Sequence, residues 1–344
     1  MRNVVEAVAR TTTRRLLGRG VGRALLLAGA FLVPGLLPES AVQAAPESVM
    51  LPGAGTYPEN VAAGPDGTLY VSSFVDGGVI RVAPGTDKGE VWIKPGAYGT
   101  RSTFGLLPDP ATNTLWLCSN DLSFLGIPGP GDARGSALKA FDLKSGEGKL
   151  SAPLPGNGPT ICNDMAIGPD GAVYVTSTLS PQILRLRPGS STLEVWVNDP
   201  VFDAGPKGAG LDGIAFGADG QLYVNTFTKG ELFRVAMTGG AAGAITRLKT
   251  SRPLVQADGM RLTADGSFLL AEGGGSLDRV TIQGDDARIE TVRDGFTGGA
   301  TGVAQVGDTA FISEGQLPLV LDPAKKGTKP SLPFRLHAVP LARP

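Results

Sequence analysis

Apolar and polar residues alternate along most of the chain in short runs, each bounded by Gly, Pro, Asp or Asn. This two-residue period is typical of half-buried β-strands, and Asp-Gly-type turns between the runs indicate hairpins. One strand-turn-strand frame recurs closely: TYPENVAAGPDGTLYVSSF, residues 56–74, returns as ICNDMAIGPDGAVYVTST from residue 161 and as GLDGIAFGADGQLYVNTF from residue 210. The pattern predicts an all-β chain built from a repeated unit.

Three further copies complete the repeat. They are STFGLLPDPATNTLWLCSN from Ser102, QADGMRLTADGSFLLAEG from Gln256 and GATGVAQVGDTAFISEG from Gly299. Two more alternating runs follow most copies, as GVIRVAPG and EVWIKPG follow the first. Six four-stranded units at roughly 45 to 60 residues predict a six-bladed β-propeller. The N-terminal ESVMLPGAG resembles a fourth strand that the last unit lacks, so we expect it to complete that blade and close the ring.

The first 45 residues have a different pattern. TTTRRLLGRGVGR is basic, ALLLAGAFLVPGLL is apolar, and AVQA supplies small residues before a cleavage site near Ala44. This is the layout of a secretory signal peptide, and the Arg14-Arg15 pair resembles the twin-arginine export motif. We expect residues 1–45 to be the signal and residues 46–344 to be one periplasmic or secreted propeller domain without a stable membrane span after cleavage. An uncleaved anchor is the alternative.

Composition excludes several kinds of function. The formal net charge is -1, and no basic cluster interleaved with aromatic residues indicates a nucleic-acid surface. The one histidine, His337, lies in the predicted last strand, which disfavours a Ser-His-Asp hydrolase and a His-dependent lactonase. Cys118 and Cys162 could pair in an oxidising compartment or remain two separate buried thiols.

The residue that opens each copy of the repeat varies in chemistry. In chain order these residues are Glu59, Phe104, Asn163, Asp212, Asp258 and Thr301. Because the first strand of each propeller blade lines the central channel, we expect them to converge there. Crowded carboxylates repel unless a cation lies between them, and hard divalent cations take oxygen ligands. The pattern predicts one divalent ion, with Ca²⁺ favoured over Mg²⁺, Mn²⁺ or Zn²⁺, in either a catalytic or a structural role.

The chain resembles the senescence-marker-protein, gluconolactonase and luciferin-regenerating-enzyme family over about residues 47–337. The resemblance is carried by YPENVAAGPDGTLYVSS, CNDMAIGPDGAVYVTS, LDGIAFGADGQLYVNT and ADGMRLTADGSFLLAE. It implies a six-bladed propeller whose metal is held by Glu59, Asn163, Asp212 and Asp258. It also implies lactone hydrolysis, in which the metal polarises the carbonyl and Asp258 activates water. Asp212 stands where the lactonases usually carry Asn.

Substrate contacts are expected at the same mouth of the channel, where the second strands return. The predicted substrate-binding residues are Phe104, Asn120, Thr226, Glu272 and Glu314. The sequence thus predicts a secreted metal-dependent hydrolase of a sugar lactone or similar cyclic ester. One alternative is a non-catalytic propeller that binds a ligand or protein and holds a structural ion. Another is a lyase or a strictosidine-synthase-like condensing enzyme, because the fold does not fix the reaction.

Overall fold

The computed structural model describes residues 46–206 and 208–341, and the predicted export signal lies outside them. The described residues form six sheets of four antiparallel strands each, and the fifth sheet has one additional strand at its edge. This is a six-bladed β-propeller, as the repeat predicted. Among the described helices, none combines the length and the apolar character that a membrane crossing requires.

The strands follow the repeat in chain order. The first, β1 (Ser48–Met50), precedes blade 1, which holds β2 (Val61–Ala63), β3 (Leu69–Ser72), β4 (Val79–Val82) and β5 (Glu90–Ile93). Blade 2 holds β6 (Ser102–Asp109), β7 (Thr114–Asn120), β8 (Ala137–Asp142) and β9 (Gly148–Pro153). Blade 3 holds β10 (Cys162–Ile167), β11 (Val173–Ser177), β12 (Gln182–Leu186) and β13 (Glu194–Asn198). Blade 4 holds β14 (Leu211–Phe216), β15 (Leu222–Thr226), β16 (Glu231–Thr238) and β17 (Ala241–Arg247).

Blades 5 and 6 depart from the simple meander. Blade 5 holds β18 (Lys249–Thr250), β19 (Ala257–Leu262), β20 (Phe268–Glu272), β21 (Ser276–Gln283) and β22 (Asp286–Asp294), with β18 parallel to β22 at the outer edge. Blade 6 holds β23 (Ala300–Val306), β24 (Thr309–Glu314) and β25 (Arg335–Pro340), and β1 pairs with β25. The short helices are α1 (Pro318–Leu321) and the 3-10 turns Ala97–Gly99, Ser123–Leu125, Pro200–Phe202 and Pro323–Lys325.

The ring closes through the N-terminal strand. β1 runs antiparallel to β25 with Ser48 opposite His337 and Met50 opposite Arg335. Val49 between them is fully buried. The prediction that the N-terminal strand completes the last blade is confirmed, and the edge of β25 is paired because β1 covers it.

The Asp-Gly turns explain why each inner hairpin forms. In blade 1 the carboxylate of Asp66 accepts a hydrogen bond from the Thr68 amide at 3.0 Å, and Gly67 between them has a φ of 84°. An Asp side chain that binds the backbone two residues on, followed by a left-handed glycine, stabilises a tight turn. Asp170, Asp219 and Asp265 make the same backbone contact in blades 3, 4 and 5.

The hydrophobic core lies between neighbouring blades. Between blades 3 and 4, for example, Tyr174 packs edge-on against Phe216 at 5.3 Å and Phe202 against Phe233 at 5.1 Å. Each sheet therefore buries both faces against its neighbours, which fixes the inner strands around the channel. Cys118 on β7 and Cys162 on β10 form a disulfide between blades 2 and 3, which decides between the two alternatives that the sequence left open.

Candidate functional site

The four predicted metal ligands lie at the channel ends of inner strands. Asn163 is on β10, Asp212 on β14 and Asp258 on β19, while Glu59 precedes β2 by two residues. The pairing of each of these three strands with its neighbour is irregular at the ligand position. Such β-bulges re-aim a side chain, and here they occur where the oxygen-bearing residue must turn into the channel. All four side chains are 4–5% exposed.

A glycine follows the opening residue in four of the six copies and lets the inner strands approach one another. A Cβ atom at Gly213 would lie 2.4 Å from the carbonyl oxygen of Asp258, and one at Gly105 would lie 2.4 Å from that of Asn163. No side chain fits at these distances. The glycines therefore bring the opening segments of adjacent blades close together.

Two hydrogen bonds from its amide nitrogen orient the side chain of Asn163. That nitrogen donates to Asp212 Oδ2 at 3.0 Å and to Thr178 Oγ1 at 2.9 Å. The Thr178 hydroxyl in turn donates to the carbonyl of Leu211 at 2.9 Å. Since both neighbours fix the nitrogen, the amide oxygen of Asn163 is left as a free acceptor.

Burial raises the pKa of all three carboxyl groups. Burial, reinforced by the charge of Asp164, raises the pKa of Asp212 to about 8. Burial and the carboxylates of Asp212 and Glu59 raise the pKa of Asp258. Burial, Asp212 and Asp164 raise the pKa of Glu59, against the opposing charge of Arg261. A buried set of this kind resists full ionisation unless additional positive charge lies beside it.

Three buried acceptor atoms in this set have no hydrogen-bond partner. They are Glu59 Oε2, Asn163 Oδ1 and Asp212 Oδ1. An unsatisfied buried acceptor is costly, and carboxylate and amide oxygens are the donors that hard divalent cations prefer. The residues present therefore fit a divalent ion by their chemistry. Within residues 46–206 and 208–341, however, no group of three or more His, Cys, Asp or Glu side chains forms a metal-binding arrangement, so the metal stays a prediction.

Arg261 crosses the channel beside these ligands. Its guanidinium donates to both carboxylate oxygens of Asp164, at 2.5 and 3.0 Å. It also donates to Asn60 Oδ1 at 3.1 Å and to the Leu106 carbonyl at 3.5 Å. One side chain from blade 5 thus joins the inner segments of blades 1, 2 and 3, and it places a positive charge near Glu59.

Arg261 and Asp164 were not predicted as channel residues, although the repeat contains a signal for both. Arg261 stands three positions after the opening residue of its copy, where the other five copies carry Ala or Leu. Asp164 stands one position after its opening residue, where four copies carry Gly. An inward charge at a position that is otherwise apolar or glycine indicates a partner across the channel.

Two predicted substrate residues, Asn120 and Thr226, are buried and form hydrogen bonds with the protein's own backbone. Asn120 is fully buried, and its amide both donates to the carbonyl of Cys162 and accepts from the Cys162 amide, each at 2.8 Å. These contacts hold blades 2 and 3 together and give no support to a substrate role. Thr226 is 1% exposed and accepts from the amide of Glu231 at 3.2 Å.

The predicted glutamates also have protein partners. Glu272 is buried, pairs with Arg252 at 2.7 Å and accepts from the amide of Val255, while burial raises its pKa to about 7. Glu314 accepts from the Gly298 amide at 2.6 Å and contacts His337 Nε2 at 2.7 Å. Their roles toward a substrate stay predictions.

Phe104 occupies the ligand position of blade 2. Its ring stacks on Phe74 at 5.1 Å, and it is 6% exposed. The structure therefore shows the packing interaction, and a role as an apolar wall for the substrate stays a prediction.

Comparison with known proteins shows one partial family match and several solved structures with a similar fold. A family model for the N-terminal part of strictosidine synthase-like proteins matches residues 44–82, which include β1 and three strands of blade 1. No curated protein sequence matches the chain significantly. The regucalcin of Agrobacterium tumefaciens, described as a calcium-binding protein, superposes with a TM-score of 0.57 at 17% identity, covering 86% of this chain and 97% of its own.

Two further solved structures show the same fold. A predicted gluconolactonase superposes with a TM-score of 0.59 at 14% identity over 88% of this chain and 97% of its own. A catalytically inactive virginiamycin B lyase from Staphylococcus aureus, bound to quinupristin, has a TM-score of 0.56 at 15% identity over 85% and 83% of the two chains. The chain is thus similar in fold to gluconolactonase-like and regucalcin propellers, which confirms the predicted resemblance.

Proposed function

We propose that this propeller is an exported, metal-dependent hydrolase of a lactone or similar cyclic ester. The observation that carries the proposal is the set of unpartnered buried oxygens of Glu59, Asn163 and Asp212 beside Asp258 in the channel. The fold that this chain shares with a calcium-binding regucalcin and a predicted gluconolactonase supports the same assignment.

In this proposal the chain's own residues divide the work. Glu59, Asn163, Asp212 and Asp258 would hold the divalent ion, which would supply Lewis acidity toward the ester carbonyl. Asp258 is the proposed general base: one of its carboxylate oxygens accepts from the Gly259 amide at 2.9 Å, which fixes the side chain. A carboxylate held in place beside the ion would be positioned to accept a proton from the attacking water.

The other residues position and protect the site. Thr178 orients Asn163, and Arg261 with Asp164 fills the channel beside the ligands. Because the Arg261–Asp164 pair spans the channel, substrate would enter from the mouth at which the opening residues lie.

The decisive experiment replaces Asp258 by Asn in the protein that starts at residue 46. We expect the initial rate on a panel of aldonolactones and simple alkyl lactones to fall by about 10²- to 10⁴-fold, as for loss of a general base, with the fold retained. Chelation of the wild-type protein should remove its activity, and one restored metal should return it. The matched control is Asp286→Asn, an exposed aspartate on β22, which should behave like the wild type.

Other functions predict different results. Metal binding by calorimetry without turnover of any lactone would favour a binding propeller with a structural ion. A lyase has less support, because the neighbouring virginiamycin B lyase is described as inactive after a histidine was replaced, whereas His337 here lies on β25 beside Glu314. Asp258→Asn with wild-type activity would exclude the proposed mechanism.

A further inference from the structure

A largely apolar cavity of about 470 Å³ lies beside Thr178, among loops of blades 2, 3 and 4. Its walls are mainly hydrophobic and come from four loops, two that follow β7 and β11 and two that precede β10 and β14. The larger apolar residues of this lining are Phe124, Leu125, Pro159, Leu179 and Phe202, and its polar side chains besides Thr178 are Ser180 and Asp203. Thr178 also lines the cavity, and its hydroxyl is the hydrogen-bond partner of the predicted ligand Asn163. Thr178 therefore connects the cavity with the predicted ligand set.

Three of these residues are unusual for a water-facing surface. Phe124, Leu125 and Leu179 are 44%, 46% and 42% exposed, although each is a large apolar side chain. Scattered exposed leucines need no explanation, but a group that lines one cavity beside a buried polar site is typical of a ligand-binding surface.

The loop that carries Phe124 and Leu125 is held in place by the buried side chain of Arg101. Arg101 donates to Ser123 Oγ at 3.0 Å and to the Ala133 carbonyl at 2.8 Å, and it pairs with Asp121 at 3.2 Å. Leu122 is 1% exposed and fixes the start of the turn. The turn therefore exposes its apolar side chains while the buried guanidinium of Arg101 holds the side chains of Asp121 and Ser123. A loop without these anchors would bury its apolar side chains, so the contacts of Arg101 keep Phe124 and Leu125 exposed to the cavity.

We infer that this cavity binds an apolar substituent of the substrate, so that the preferred lactone carries an alkyl or aryl side chain in place of the hydroxyl groups of a sugar lactone. The inference rests on the proposed hydrolase function for the position of the reacting ester. Phe124, Leu125 and Leu179 offer no hydrogen-bonding groups in their side chains, so they would leave sugar hydroxyls unpaired while removing an alkyl chain from water.

The first test compares kcat/KM for a series of γ-lactones with no side chain, a butyl chain and a hexyl chain, and for an aldonolactone. The wild type, with its metal, should gain about fourfold in kcat/KM per added methylene until the cavity is filled. Leu125→Gln and Leu179→Gln should each flatten this dependence. The matched control, Val195→Gln on β13, replaces another 46%-exposed apolar residue and should keep the wild-type dependence.

A second readout does not require turnover. Calorimetry would measure the dissociation constants of 5-methyl- and 5-hexyl-2-pyrrolidinone, which are lactam analogues of these lactones. The hexyl compound should bind at least tenfold more tightly to the wild type and to Val195→Gln, but not to Leu125→Gln or Leu179→Gln. Equal affinities for the two lactams in the wild type, or preference for the aldonolactone, would overturn the inference. Selective lactam binding without hydrolysis of any lactone would uphold the apolar subsite and reject the hydrolase.

Discussion

At the scale of single residues, the channel contains two sets of charged groups with different tasks. Glu59, Asp212 and Asp258 are crowded carboxyl groups, and Glu59 and Asp212 each have an unpartnered oxygen, whereas Asp164 is satisfied by Arg261 and the Met165 amide. The first set is suited to binding a metal cation, whereas in the second set the guanidinium of Arg261 already provides the positive charge. The repeated frame predicted the first set, because its members share one position in each copy. It did not predict the pair, because the two partners lie 97 residues apart.

We expect Arg261→Met to destabilise the protein. The substitution leaves the fully buried Asp164 without its counter-charge, and breaking a buried pair from one side costs about 3–5 kcal/mol. The measurement is the free energy of unfolding in urea at pH 7. Replacing both partners, in Arg261→Met with Asp164→Leu, should recover part of the loss.

The matched control for this prediction is Arg288→Met. Arg288 pairs with Glu290 at 2.8 Å on the outer strand β22, where the Arg288 side chain is 72% exposed, so water screens the interaction. Its unfolding midpoint should stay close to that of the wild type. Equal effects of Arg261→Met and Arg288→Met would show that the channel pair does not stabilise the ring.

At the scale of strands and turns, the inner hairpins of blades 3, 4 and 5 each combine a tight turn at one end with a β-bulge at the other. The Asp-Gly turn at one end was readable from the sequence, since both the turn-forming side chain and the left-handed glycine are local. The bulge at the other end was not readable, because it depends on pairing with the second strand. The parallel strand β18 was likewise missed, since two residues give no periodic pattern.

Gly213→Ala should disturb the ligand-bearing segments of blades 4 and 5. The added methyl group would meet the Asp258 carbonyl at 2.4 Å and Asn225 Nδ2 at 2.8 Å. Overpacking of this kind costs about 1–3 kcal/mol, and we also expect weaker calcium binding by calorimetry, because Asp212 and Asp258 must shift apart.

Gly158→Ala provides the comparison for this substitution. A methyl group there has no atom within 4 Å, and the residue is exposed in the loop before β10. Its thermal midpoint and calcium affinity should match those of the wild type. If Gly213→Ala also matched them, the inner strands would have more freedom than the contact distances indicate.

At the scale of the whole molecule, closure of the ring brings distant residues to one channel. The strand β1 contributes Val49, and the segment after it contributes Leu51, both almost completely buried. The disulfide joins blades 2 and 3 next to Asn163. The predicted ligands come from four blades, so they can keep a common geometry only while every blade junction stays packed.

A chain that starts at residue 52 should therefore lose stability compared with one that starts at residue 46. It lacks β1 and exposes the edge of β25, which favours aggregation. Thermal unfolding followed by light scattering would measure both effects, and a synthetic peptide of residues 46–54 should partly restore the shorter chain. An unchanged midpoint in the shorter chain would mean that β1 is not needed for closure.

The sequence by itself determined the all-β class, the six repeated units, the closing strand and the oxygen-bearing residues at the channel positions, because each is encoded by local alternation, turn chemistry or an equivalent place in the repeat. The tertiary structure alone decided the disulfide, the Arg261–Asp164 pair, the blade-joining use of Asn120 and the apolar cavity beside Thr178. These features depend on which side chains meet across blade junctions and loops. That geometry arises only when the ring closes, and no short stretch of sequence contains it.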